Sequence, residues 1–181
     1  MKKKNLIRQG LIRLTYSALL AAICVILAFA AKGIFGSGPL RLTIENLPIF
    51  MASFFFGPVW GIAVAICADL LSCVMAGMAP YPLITVGAAL IGAVSGTFYN
   101  YVLKKAPMGV RVVLSVLFAH IVGSMTVKTL ALVPFFGDTA ITLFLRIPVY
   151  VGITVIESLI LVFLTISKAF MRQIDIIKGK K

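Results

Sequence analysis

Long apolar stretches recur along the whole chain, separated by short breaks rich in polar residues, glycine or proline. The first runs from about Leu14 to Ala31, and a Gly/Ser/Pro-rich connection, residues 32–40, follows it. A second, shorter stretch begins near Glu45 and stops at the Gly57-Pro58 break, and a third runs from about Val59 to Met75. A turn over residues 76–82 leads into a fourth, roughly Leu83 to Leu103. The fifth covers about Val112 to Val133 and the sixth about Thr142 to Phe170. A helix needs about 20 apolar residues to cross hydrocarbon, whereas a spanning strand shows alternation over about ten. The pattern predicts an all-α fold: an integral membrane bundle of six transmembrane helices. It forms one domain over residues 1–181, with short basic tails at about 1–13 and 171–181.

Charge adds the orientation. The formal net charge is +12, yet 13 of the 17 basic residues fall in three patches that flank apolar runs. The patches are Lys2 to Arg13, Lys104 to Arg111 and Lys168 to Lys181. An even number of spans puts both termini and the connection between the fourth and fifth spans on one side. The positive-inside rule makes that side cytoplasmic. The basic residues are thereby explained without nucleic acid. With 61% hydrophobic residues and a mean hydropathy of +1.12, the chain lies far from a soluble domain. The first apolar run is long and no small-residue cleavage site clearly follows it, so no cleavable signal peptide is expected.

Chemistry-bearing residues are few. Cys24, Cys67 and Cys73 sit in apolar surroundings without metal-ligand spacing and read as free thiols, so no metal site is expected. The chain has no GxxxxGK[ST], HExxH or GxSxG motif, which argues against an enzyme and against ATP hydrolysis by this chain. Ionisable groups at membrane depth are expensive and face a partner or a cavity. Here they are Glu45, Asp69, His120, Lys128, Arg146 and Glu157, with Arg41 at the rim. Reckoning depth along each span puts Glu45 and Asn46 at the outer end, Lys128 and Arg146 in the outer half, and Asp69, His120 and Glu157 near the middle. Arg41, Glu45, Lys128 and Arg146, joined by Tyr81 and Thr85, imply an outward-facing pocket. It suits a ligand with negative charge and a hydrogen-bond-donating edge. Structural readings stand beside this one. Arg41 can snorkel to the interface, Asp69 can pair with Lys128 or His120, and Glu157 can pair with Arg146. A histidine without local partners is more often a satisfied interior residue than a ligand contact. Trp60, Tyr99 and Tyr101 suit an interfacial belt. Small residues at Ala18 and Ala22, and at Gly92 and Gly96, permit close helix approach, either within the bundle or to a partner.

The run RLTIENLPIFMASFFFGPVWGIAVAICADLLSCVMAGMAPYPLITVGAALIGAVSGTFY, Arg41 to Tyr99, resembles the substrate-binding S component of energy-coupling factor (ECF) transporters, and within these the folate family. The matching features are the Arg41-x-Thr43-x-Glu45-Asn46-Leu47-Pro48-Ile49 entry, the Gly57-Pro58 break, Ala68-Asp69-Leu70, and a small-residue-rich segment ending in Gly96-x-x-Tyr99. After Pro107 the likeness is loose. The resemblance implies vitamin capture in an outward-facing pocket. It also implies docking through an A-x-x-x-A motif, here Ala18 and Ala22, on a transmembrane coupling protein driven by two cytoplasmic ATPases. ATP would then be used by those subunits, with no cofactor in this chain. A bacterial plasma membrane is the expected location. Folate offers a pterin edge for Glu45 or Asp69 and tail carboxylates for Arg41, Lys128 and Arg146. Phe135, Phe136, Tyr81 or Tyr150 would stack on its rings. Pantothenate, a thiamin precursor or riboflavin are the alternative ligands. A stand-alone ion-coupled transporter working through Asp69, His120 and Glu157 is the alternative mechanism.

Overall fold

The computed structural model describes residues 2–35, 44–131 and 140–178; within helices, the side chains at 2–6, 34–35, 140–143, 145–146 and 178 also lie outside the described set. Every regular element among the described residues is helical. Helix α1, Lys2–Phe35, is followed by α2, Leu47–Phe56, and α3, Pro58–Met75. Helix α4, Pro82–Thr97, continues as a π-helical turn over Phe98–Val102. Helix α5, Met108–Ala119, passes into a π-helical segment over His120–Lys128. Helix α6, Ala140–Ile166, carries Pro148 internally and breaks at Ser167 before α7, Lys168–Lys178.

Among the described residues, five helical stretches are long and apolar enough to cross a membrane: Ile7–Gly33, Pro58–Met75, Pro82–Val102, Met108–Ala131 and Ile147–Ile166. The sixth expected span is different. Helix α2 has only 10 residues, about 15 Å at 1.5 Å per residue, or half of a hydrocarbon core of about 30 Å. Pro48 lies in its first turn, where a missing N–H costs nothing. Gly57, at φ 103°, ends it in a conformation that a side chain would strain, and Pro58 starts α3 at once. Most of α2 is buried, with Phe50 and Ala52 at 0% exposure. It is a core element rather than a lipid-facing one.

Glycines set how closely the helices approach. A Cβ at Gly92 would strike the Gly61 backbone, and one at Gly96 would come within 2.6 Å of Pro58 Cα. Helices α3 and α4 therefore run antiparallel in backbone contact, a route to tight packing where no hydrophobic force separates protein from lipid. The single Ser53 Oγ–H is shared between Ile49 O within α2 (2.8 Å) and Gly92 O across on α4 (3.0 Å). Asn100 Nδ2 donates to Ser53 O (3.0 Å) and Gly96 O (2.9 Å). These bonds fasten the half-length helix to α4. Below them Phe54 stacks on Tyr99 at 4.1 Å, and the Arg111 guanidinium lies 4.0 Å over the same ring. Tyr99 is thus a buried core residue rather than a belt residue: it packs under α2, which local sequence does not announce. Helix α7 packs back against α1, with Phe170 edge-on to Phe55 at the α2–α3 break. Large apolar side chains such as Val74 and Phe163 stay exposed on the outside, as a lipid-facing surface requires.

Candidate functional site

The half-length of α2 decides what meets what. Since α2 ends beside the cytoplasmic start of α3, its first turn lies about 15 Å higher, near the middle of the bundle. Glu45 and Asn46 therefore sit at mid-depth, not at the outer end expected from counting residues along a full span. Their neighbours agree. Cys24, at the middle of the α1 span, donates its Sγ–H to Glu45 O at 2.8 Å. Phe50, one turn into α2, meets His120 edge-on with ring centroids 5.5 Å apart.

His120 opens the π-helical segment of α5. Its Nε2 lies 2.6 Å from Glu157 Oε2 on α6, and both side chains are fully buried. Its Nδ1 lies 3.1 Å from Ser124 Oγ. The neutral tautomer that satisfies both contacts donates from Nε2 to the carboxylate and accepts the Ser124 hydroxyl proton at Nδ1. The residues between them follow an i−5 register, which side-chain hydroxyls repeat. Thr126 Oγ1 donates to Ile121 O (2.7 Å) and Thr129 Oγ1 to Ser124 O (3.0 Å). A π-helical insertion widens the helix and often marks a functional position. The expected Asp69–His120 alternative gives way to His120–Glu157, while the Arg146–Glu157 alternative falls on a side chain outside the described residues. The reading of His120 as a satisfied interior residue describes its own ring.

Among the described residues, no side-chain partner meets Glu157 Oε1 or Asn46 Oδ1, both buried. The Asn46 backbone N–H lies within hydrogen-bonding reach of the same carboxylate.

Other predicted residues gather nearby. Glu45, Lys128, Glu157 and Asp69, from four different elements, all lie within electrostatic reach of the Cys24 thiol. The chain has only 5 Asp and Glu residues, and three of them are in this group. Asp69 accepts a hydrogen bond from Thr85 Oγ1 at 2.6 Å, so α4 rather than Lys128 or His120 supplies its described partner. Tyr81 immediately precedes α4, and its carbonyl also faces Thr85 Oγ1 at 3.4 Å. The Lys128 stem crosses Gly87, where an added Cβ would come within 2.7 Å of Lys128 Cγ. Tyr150, on α6, has its ring 6.0 Å from that of His120. Arg41, Phe135 and Phe136 lie outside the described residues, as does the side chain of Arg146 in α6. Ala18 and Ala22 both lie on the exposed side of α1, opposite the buried Ala21, Cys24, Val25 and Ala28.

Sequence reasoning missed Cys24, Phe50, Ser124 and Gly87 as members of this region, and also Gly123, where an added Cβ would come within 2.8 Å of Gly87 O. Only Ser124, four residues after His120 on one helical face, carried a usable signal. Phe50 is one of 13 phenylalanines, and nothing local sets it apart.

Residues 12–174 match the family described as ECF transporter, substrate-specific component. Comparison with curated proteins returns no match. Among solved structures, the chain is similar to one described under "Structure and mechanism of the S component of a bacterial ECF transporter". Sequence identity is 26% and the TM-score is 0.64, over 84% of this chain and 92% of that one.

Proposed function

The chain belongs to the substrate-specific components of ECF transporters, and we propose that it captures folate at mid-depth in the membrane, where α2 begins. Members of this family are multi-pass substrate-binding subunits of transporters and are not enzymes. The observation that carries the reading is the position of the α2 start. It brings Glu45 and Asn46 down to His120 and Glu157, beside Lys128, on elements held rigidly by backbone contact. A pterin offers N–H donors to the acidic side of this group. Its glutamate tail offers carboxylates to Lys128, with Arg41 and Arg146 as further bases. Aromatic faces come from Phe50 and Tyr150 beside the His120 ring.

Delivery requires a coupling protein and two ATPases in a bacterial plasma membrane, with Ala18 and Ala22 presenting a smooth helix face for docking. ATP is used by those partners. The test is calorimetric titration of folate into the purified chain in nanodiscs. Tight binding is expected, with at least a tenfold loss in both Glu45→Gln and Arg146→Ala. No uptake is expected in vesicles until the coupling protein and ATPases are added. A wild-type chain that binds no pterin overturns the folate assignment. Unchanged affinity in both variants overturns the assignment of these residues.

A further inference from the structure

Lys128 ends the π-helical segment of α5, and α4 makes room for its stem. A Cβ at Gly87 would come within 2.7 Å of Lys128 Cγ, 3.1 Å of Gly123 O and 3.3 Å of Lys128 N. A Cβ at Gly123 would in turn come within 2.8 Å of Gly87 O. The two glycines form a notch in which backbone meets backbone, and the Lys128 stem lies against α4 with no side chain in its way. From that seat Lys128 lies within electrostatic reach of the Cys24 thiol on α1, as do Glu45, Asp69 and Glu157. Two of those acids have other described partners: Thr85 Oγ1 donates to Asp69 at 2.6 Å, and His120 meets Glu157 at 2.6 Å. Among the described residues, no ion pair ties Lys128 to either of them.

From this arrangement we infer that Gly87 is a positioning residue that acts through Lys128. By carrying no side chain it seats the lysine stem and holds the ammonium where a carboxylate of the captured ligand meets it. The pair then selects ligands by charge. A lysine on an open surface samples many rotamers and gives them up on binding an anion. A seated lysine has given them up in folding, so more of the ion-pair energy appears as affinity. Of the three atoms that a Cβ at position 87 would meet, Lys128 Cγ is the nearest, and the other two are backbone atoms. A methyl group there displaces the lysine stem before it parts the helices. The inference rests on the substrate-capture reading above and adds to it the residue that fixes where the ligand's negative charge sits.

Folate and its dimethyl ester, in which the tail carboxylates are neutral, separate the cases. Titrated into the full chain in nanodiscs, wild type is expected to bind folate at least tenfold more tightly than the ester. Lys128→Met keeps a stem and removes the charge, so folate affinity should fall at least tenfold and the folate-to-ester ratio should approach parity. Gly87→Ala should collapse the ratio in the same way with Lys128 intact. Gly87→Ala combined with Lys128→Met should lose no more folate affinity than either change alone, because both act through one contact. A merely structural Gly87 would instead weaken both ligands alike and keep their ratio. If Gly87→Ala does not fold, adding Lys128→Ala, which removes Cγ, should restore a folded chain, and a double variant that stays unfolded overturns the inference. Equal binding of the two ligands by wild type, or an unchanged ratio in Gly87→Ala, also overturns it while leaving folate capture standing. A wild-type chain that binds neither ligand removes the folate reading and the inference together.

Discussion

At the residue scale, the group around His120 is strongly constrained. His120 has its ring nitrogens engaged by Glu157 and Ser124 and its faces bounded by Phe50 and Tyr150. Removing the carboxylate leaves the buried Nε2–H of the neutral His120 without its acceptor, which costs about 1–3 kcal/mol. Glu157→Ala should therefore lower the apparent melting temperature in detergent sharply, read by circular dichroism, whereas Ser124→Ala, which loses one neutral hydrogen bond, should cost only about 1 kcal/mol. The sequence made His120, Glu157, Asp69 and Lys128 legible as costly residues at membrane depth. It could not make their pairing legible. Helical spacing orders contacts within one element, but His120 and Glu157 are 37 positions apart and meet through the packing of α5 on α6.

At the element scale, α2 shows where sequence counting stops working. Its apolar run and its short length are both legible, but residue counting alone implies a full traverse and places Glu45 and Asn46 at the outer end instead of mid-depth. The depth follows only when the end of α2 is tied to α4 through Ser53 and Asn100. Substitution at the Gly57 corner should be costly whatever space surrounds it, since φ is 103° there. Gly57→Ala is expected to destabilise by about 1–2 kcal/mol. Close approach gives a second test. Gly92→Ala places a methyl group against the Gly61 backbone, and overpacking of that kind costs about 1–3 kcal/mol. Gly109→Ala, with nothing within 4 Å of the new methyl group, should be neutral. The small residues of α4 were legible as a packing face. Their contacts with Gly61, Gly123 and Lys128 were not, because glycine itself carries no sign of which backbone it will meet.

At the scale of the whole molecule, the alternation of helices and the three basic patches agree on one orientation. The connection that follows α4 is cytoplasmic, and the turn at 76–81 faces outward. In a background with Cys24, Cys67 and Cys73 replaced by alanine, Ala79→Cys should react with a membrane-impermeant maleimide in intact cells. Lys105→Cys should react only in inverted vesicles, and the reverse pattern would refute the orientation.

The ten-residue length of α2 also bears on how the protein enters the bilayer. A segment of about 15 Å is too short to be recognised as a span on its own, yet the chain must return inward between α1 and α3. If it fails to do so, α3 begins on the wrong face and every later helix is inverted. Correct insertion of α2 is therefore a collective event, in which the lysines and arginines at 104–111 and 168–181 retain the later connections in the cytoplasm while α1, α3 and α4 draw the half-helix in. Replacing Lys104, Lys105 and Arg111 together with glutamine should produce a population of inverted molecules during biosynthesis, even though the folded bundle would lose little by the change.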